Sequence, residues 1–216
     1  MKKEIKNIRT DALPQDGASW AEALWEGTEL THEALRIHDI IPSTDKDCNK
    51  ALRDCVVDLV DGGLEHYLLN ANLKQIFVYD EATRDAVDVL DGTDGVCYWC
   101  SKTANPISMI GICTRAINQG HDYLMGVLLH ELAHGLMRFD ETEHTFAFYV
   151  LVDALASQVN DRLGTNIHPD YNDMDVADAG RIMFGASRSN TDGVDHGVER
   201  DLESIRSRHN KRTGGK

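Results

Sequence analysis

The stretch that most constrains this chain places two histidines four residues apart around a glutamate, in His130-Glu131-Leu132-Ala133-His134. On an α-helix, side chains at positions i and i+4 lie on the same face, so both histidines can reach one metal ion. Glu131 then lies about 100° around the helix from His130, close enough to reach a water beside the ion. This HExxH signature predicts two zinc ligands, His130 and His134, with Glu131 as the general base.

The residues around this motif are apolar on almost every side, which is typical of a helix buried in a protein core. Two histidines and a glutamate would be costly to bury there without a partner, whereas a bound cation accounts for all three. We therefore expect a buried helix from about Asp122 to Arg138 that carries one Zn²⁺ with a coordination position open to water. The apolar flanks are Leu124, Val127, Leu128, Leu129, Leu132, Ala133, Leu136 and Met137.

A catalytic zinc site has three protein ligands, so a third residue must join the two histidines. Candidates beyond the motif helix are Asp140, Glu143 and His144. Asp140 holds the last ligand position of the longer HExxHxxGxxH motif, but that motif requires a glycine where this chain has Met137. The residues alone therefore disfavour Asp140 and leave the third ligand open.

Hydrophobic periodicity predicts helices on both sides of three short strands. Gly27 weakens the first helix, and Pro42 stops it. A short helical turn is expected near 64–73, and a further helix near 176–184. The main helices are predicted at about 19–40, from a cap at Thr44 or Asp45 to Gly62, at 122–138 and at 145–163, and the strands at 75–79, 96–100 and 107–113.

The length of 216 residues predicts a single domain over residues 17–185, with a helical N-terminal part (17–73) and a catalytic core (74–164). Residues 1–16 are expected to be a flexible lead, and residues 186–216 a charged tail. The formal net charge of -14 argues against binding to nucleic acid or to anionic membranes.

The start of the chain lacks the apolar segment of a signal peptide, and no run reaches the length of a transmembrane helix. The five cysteines form an odd set without framework spacing, which fits a reducing compartment, so a cytoplasmic location is expected. Cys97 and Cys100 match CxxC, but residues three apart in a strand point to opposite faces. With no second CxxC to complete a four-thiolate site, they are interpreted as ordinary strand cysteines.

The motif and its surroundings resemble the small gluzincin-like metallopeptidases, and the SprT-like proteins in particular. The matching stretches run from Gly95 to Trp99, from Ile110 to Cys113, through the HExxH helix, and from Glu143 to Phe148. The resemblance implies an α+β, zincin-like fold, in which a small, mostly antiparallel sheet of three to four strands packs on the motif helix. Extra helices would lie N-terminal and C-terminal to this core.

Carried over by position, the resemblance makes zinc ligands of His130, His134 and His144, with Glu131 as base. The chain lacks the downstream zinc ribbon and basic segment of some relatives, so their DNA-linked roles are not expected here. The substrate would be a protein or peptide, lying extended along the edge strand that contains Cys97, Tyr98 and Trp99. The candidates for oxyanion stabilisation are Tyr149, His168, Tyr171, Arg181 and His196.

Two other functions share this site. A zincin-like fold without catalysis would serve as a zinc-stabilised structural or regulatory module, with Asp140 or Glu143 as a fourth ligand that closes the site. A metal-dependent hydrolase acting on a non-peptide amide would differ only in its cleft. The sequence does not determine the oligomeric state.

Overall fold

The structure is a computed structural model that describes residues 13–80, 93–100, 106–137 and 144–169. Within these ranges the chain forms seven helices and three strands in an α+β arrangement. The predicted helix near 176–184, the tail 186–216 and most of the lead 1–16 lie outside the described residues. The elements are α1 (Gly17–Glu26), α2 (Glu29–Ile37), α3 (Lys46–Asp61), α4 (Glu65–Asn70), β1 (Leu73–Tyr79), β2 (Gly95–Cys100), β3 (Ile107–Cys113), α5 (Thr114–Ile117), α6 (His121–Met137) and α7 (Phe146–Leu163).

The single helix predicted over 19–40 is wrong, because Gly27 divides it into α1 and α2. Gly27 has a φ of 67°, which a residue with a side chain rarely adopts. A Cβ at this position would also lie 2.6 Å from Cδ of Gln75. Thr28 then caps α2, since its side chain accepts a hydrogen bond from the Thr31 backbone N–H at 3.2 Å.

The other helix ends follow the local chemistry of their flanking residues. Asp45, one of the two predicted caps, accepts hydrogen bonds from the backbone N–H groups of Asp47 and Cys48 at 2.9 Å and starts α3. Gly164 ends α7 in the left-handed conformation with a φ of 69°. These boundaries agree with the predicted ones to within about two residues, the usual uncertainty of a helix end.

The three strands form one mixed sheet in the order β1-β3-β2. Strand β2 runs antiparallel to β3, whereas β1 runs parallel to β3. The expected mostly antiparallel sheet is therefore wrong for one of the two strand pairs. The cause is the long excursion between β1 and β3, which contains β2 and lets β3 return in the same direction as β1. Among the described strands, β2 lies at an edge, as predicted.

The sheet is covered on both faces, so its central strand is buried along its whole length. Alternate side chains of β1 and β3 enter a main core, where they pack with apolar residues of α1, α3, α6 and α7. The strand residues in this core include Ile76, Val78, Ile110 and Ile112. The intervening side chains form a second core under α2, and this second core consists of Leu35, Ile40, Phe77, Tyr79, Met109 and Cys113. This two-sided burial explains why β3 reads as a continuous apolar run.

Helix α6 lies between the sheet and α7, and this placement sets the position of the HExxH motif. It contacts β2 and β3 on one side and α3, α4, α5 and α7 on the others. Buried residues therefore occur all round the helix, as its apolar flanks predict. In the part of the chain that the structure describes, no helix, α6 included, is both long enough and apolar enough to cross a membrane.

Candidate metal centre

Three histidine side chains converge at the C-terminal half of α6. The Nε2 atom of His130 lies 3.2 Å from Nε2 of His134 and 3.1 Å from Nε2 of His144. The third separation, between Nε2 of His134 and Nε2 of His144, is 3.2 Å. The three ring nitrogens therefore occupy the corners of a nearly equilateral triangle.

Hydrogen bonding alone does not account for this triangle. An Nε2–H can donate to only one neighbour and cannot accept, so at least one of the three pairs must bring two lone pairs or two N–H groups face to face. A single cation removes this conflict, because all three lone pairs can point at it. Two imidazole nitrogens about 2.0–2.1 Å from a tetrahedral ion lie about 3.3–3.4 Å apart, close to the observed spacing. The three histidines are placed to hold one metal ion.

The surroundings keep the first two histidines neutral, as a metal ligand must be. Burial lowers the pKa of His130 to about 3, with a smaller contribution from the neighbouring His134 and His144. Burial, followed by the neighbouring His144, lowers the pKa of His134 to about 4. At neutral pH a metal ion therefore meets little competition from protons at these two nitrogens.

The helix geometry of α6 supplies two of the histidines, and the start of α7 supplies the third. His144 directly precedes Thr145, whose side chain caps α7 by accepting a hydrogen bond from the Phe148 backbone N–H at 3.3 Å. The ring of His144 lies 5.8 Å from that of Tyr149, in the arrangement of a hydrophobic staple across a helix start. The cap and this ring contact fix the direction in which the chain enters α7.

Phe148 packs against all three histidines. Its ring centroid lies 4.8 Å from that of His130, 4.4 Å from that of His134 and 5.1 Å from that of His144. Phe148 is only 1% exposed, so its ring is a fixed surface beneath the three imidazoles. The periodicity of α7 predicts Phe148 as an ordinary core residue, and this contact role was not foreseen. The sequence signal for this role was the position of Phe148 close to Thr145, where the helix is predicted to start beside the third histidine.

Glu131 is buried between α6 and the first residue of β2, with 6% of its surface exposed. Burial raises the pKa of its carboxyl group to about 8. A Cβ on Gly95 would lie 2.8 Å from Oε1 of Glu131, so the backbone of β2 approaches this carboxylate closely. A cation held by the nearby histidines would lower this pKa again, because it favours the ionised carboxylate.

The predicted substrate strand divides its side chains between two faces. Cys97 packs against the main core, whereas Tyr98 packs against the second core and stacks on the ring of His38 at 5.8 Å. Trp99 follows Cys97 by two residues and so shares its face, towards α6. Burial raises the pKa of the Cys97 thiol, which keeps it protonated and suits a structural role. The side chain of Cys100 lies outside the described residues.

Of the three candidates for the third ligand, the structure brings His144 to the other two histidines, while Asp140 and Glu143 lie outside the described residues. Of the oxyanion candidates, Tyr149 is buried beside His144. His168 is exposed on the segment that follows α7. Tyr171, Arg181 and His196 lie beyond the described residues.

Comparisons of the chain with protein-family models, with curated proteins and with solved structures each find no match. The zincin-like fold and the resemblance to SprT-like proteins therefore stay predictions. The fold and the site together define an α+β protein with three converging histidines. A buried glutamate lies on the same helix as two of these histidines.

Proposed function

We propose that this protein is a zinc-dependent peptidase in which Glu131 acts as the general base. The observation that carries the proposal is the convergence of three histidine Nε2 atoms at 3.1–3.2 Å, two of them from the helix that also carries Glu131. Three histidine ligands with one position left for water or substrate are typical of catalytic rather than structural zinc sites. The ion would be held by His130, His134 and His144.

Neutral imidazole nitrogens are well suited to Zn²⁺ among the common divalent ions. When bound here, the ion supplies Lewis acidity, which polarises a substrate carbonyl and lowers the pKa of a water molecule to about 7. Phe148 and the cap of α7 hold the imidazole rings in one orientation and reduce the reorganisation needed on binding. The histidines themselves do not exchange protons during the reaction.

Glu131 transfers the proton of the reaction. One of its carboxylate oxygens accepts a proton from the attacking water and later donates it to the amine nitrogen of the leaving group. Its burial keeps bulk water from competing for this proton, and a cation held by the three histidines would favour the ionised carboxylate at neutral pH.

The substrate is proposed to be an extended protein or peptide segment that pairs with the edge strand β2. Backbone groups on an edge strand can bind such a segment as an added strand, largely independently of its sequence. Cys97 and Trp99, on the face towards α6, would then line the substrate side of the cleft. This arrangement favours unfolded or flexible protein substrates over folded ones.

The test compares wild type with Glu131→Gln, and with Glu65→Gln as a control at an exposed position on α4. Zinc content is measured after dialysis, and cleavage is followed by mass spectrometry on denatured proteins. We expect equal zinc in all three proteins and cleavage lost only in Glu131→Gln, by about a hundredfold or more. Zinc binding without cleavage by wild type would contradict the peptidase and favour the non-catalytic module, with Asp140 or Glu143 as a fourth ligand.

A further inference from the structure

We infer that Asp94 and Gly95 form a positioning element, which holds the Glu131 carboxylate in place from the start of β2. The inference rests on the proposed function, because it assigns the element a role for the same glutamate. It concerns two residues that are not members of the histidine triangle. Their effect would therefore fall on the proton transfer, and not on metal binding.

The first observation is the lack of space at Gly95. A Cβ at this position would lie 2.7 Å from Cγ1 of Val127 and 2.8 Å from both Cγ and Oε1 of Glu131. Val127 is branched at Cβ and rarely changes its rotamer in a helix, so an added methyl group must push the backbone of β2 away from α6 or displace the glutamate side chain. Either movement disturbs the packing between the start of β2 and the Glu131 side chain, and glycine at this position leaves that packing intact.

The second observation is the set of bonds that holds the start of β2. The Asp94 carboxylate accepts a hydrogen bond from Nε of Arg115 at 2.7 Å and one from the hydroxyl of Tyr123 at 2.5 Å. Its backbone carbonyl accepts a third from the backbone N–H of Cys113 at 2.9 Å. Asp94 is therefore attached to the end of β3, to α5 and to the first turn of α6.

These contacts lie along one stripe of α6. Tyr123, Val127 and Glu131 follow one another at intervals of four residues, so their side chains share a face of the helix. Asp94 binds the first of them, and Gly95 lies against the second and third. The start of β2 therefore contacts α6 along two turns of the helix, and Glu131 lies at the end of this contact.

The decisive variants are Gly95→Ala and Asp94→Ala, with Asp94→Asn as the conservative replacement. Asp58→Ala is the matched control, because Asp58 also binds the first turn of α6, through Nε2 of His121 at 2.7 Å, but is not attached to β2. For the added methyl group the control is Gly126→Ala, where a Cβ would meet one atom, the His168 carbonyl oxygen at 3.3 Å.

We expect Gly95→Ala and Asp94→Ala to bind zinc as wild type does and to lose kcat by about a hundredfold, the usual cost of moving a catalytic group by roughly 1 Å. KM should change little, and Asp94→Asn should recover part of the lost kcat, because an amide oxygen can still accept from Arg115. Asp58→Ala and Gly126→Ala should keep the wild-type kcat. A wild-type kcat in Gly95→Ala, or an equal loss in Asp58→Ala and Asp94→Ala, would overturn the inference.

A crystal structure of Gly95→Ala gives a readout that needs no activity. We expect the Glu131 carboxylate to be displaced while the three histidines stay in place, and an unmoved carboxylate would overturn the inference. If wild type cleaves no substrate, the proposed function fails, but this displacement still tests the positioning role. The two failures are thereby distinguishable.

Discussion

Helix α6 carries histidines near both ends, and their surroundings shift the pKa in opposite directions. At the C-terminal half, His130 and His134 are buried, and their pKa values fall to about 3 and about 4. At the first turn, burial works against the protonated form of His121, but hydrogen bonds that its ring N–H groups donate to Asp122 and Asp58 outweigh burial and raise the pKa. The neutral form of histidine is thus favoured at one end of the helix, and the protonated form is favoured at the other.

Neighbouring charge and solvent, and not the helix, determine what a histidine does in α6. No carboxylate contributes to the lowered pKa of His130, whose neighbours are two further imidazoles. His121, in contrast, lies between two carboxylates, with its Nε2 2.7 Å from Oδ2 of Asp58 and its Nδ1 3.2 Å from Oδ1 of Asp122. The first setting favours the neutral ring, whose lone pair can bind a metal, and the second favours the protonated ring.

The largest expected effect is that of His144→Ala, which removes one corner of the histidine triangle. Loss of a residue that only hydrogen-bonds to a ligand lowers metal affinity by about 10- to 100-fold. Loss of a direct ligand leaves two ligands, so zinc affinity should fall by more than this. Affinity is measured by competition with a chelator of known strength. His66→Ala, at an exposed histidine on α4, is the control. Unchanged affinity in His144→Ala would move the third ligand to Asp140 or Glu143.

Phe148→Ala should destabilise the metal-free protein by about 3–5 kcal/mol, because it leaves a cavity beneath the three imidazoles. Phe77→Ala is the matched control, since Phe77 is equally buried but lies in the second core. Both variants should lose similar stability in urea unfolding, but only Phe148→Ala should lose zinc affinity as well. Equal zinc affinity in the two variants would show that Phe148 does not support metal binding.

The stability of the metal-free protein should be greatest near pH 6.5. Below that pH, His130 and His134 take up protons in the unfolded chain but stay neutral in the folded chain. The free energy of unfolding therefore falls as the pH is lowered towards about 4. Glu131 acts in the opposite sense, because its pKa is raised from 4.5 to about 8 in the fold. Its contribution is fully present below pH 4.5 and is lost as the pH rises to about 8.

This pH profile is measured by urea unfolding of chelator-treated protein at pH 4.5, 6.5 and 8. Between pH 4.5 and 6.5 the two histidines outweigh the single glutamate by one proton, so stability should rise with pH there. In Glu131→Gln the opposing contribution is absent, and the rise should become steeper. A stability that increases from pH 6.5 to 8 in wild type would contradict the burial of a neutral Glu131.

The smallest expected effect concerns His121. Its raised pKa stabilises the fold below pH 6.5, and this contribution is lost as the pH rises through the folded value. Because His121 and Asp58 are both more than a third exposed, the pair should contribute only about 0.2–1 kcal/mol. An NMR titration should give a pKa above 6.5 for His121 and a lower one in Asp58→Asn. A value at or below 6.5 in wild type would contradict the assignment.

Local sequence patterns predicted most element positions but not the way the elements pair. The predicted strand over 107–113 matches β3, and the predicted motif helix matches α6 to within one residue at each end. These segments have strong periodicity and clear end signals. The parallel pairing of β1 with β3 was missed because strand order depends on contacts between distant residues, to which periodicity is insensitive.

The candidate site divides in the same way. His130, Glu131 and His134 could be assigned from their spacing, since one helix fixes all three. His144 needed a resemblance to select it, because the chain between the two helices sets its position. Gly95 and Phe148 were not assigned, because their roles arise from tertiary contacts and neither residue type is unusual in a strand or a core.

The triangle of histidines also bears on how the chain stays folded. His134 and His144 are separated by 10 residues, and one belongs to α6 while the other precedes α7. An ion bound to both would tie the two helices together in the folded chain, and its binding free energy would add to the free energy of unfolding, because the unfolded chain holds no preformed site. Chelation would then loosen the junction between the two helices as well as empty the metal site.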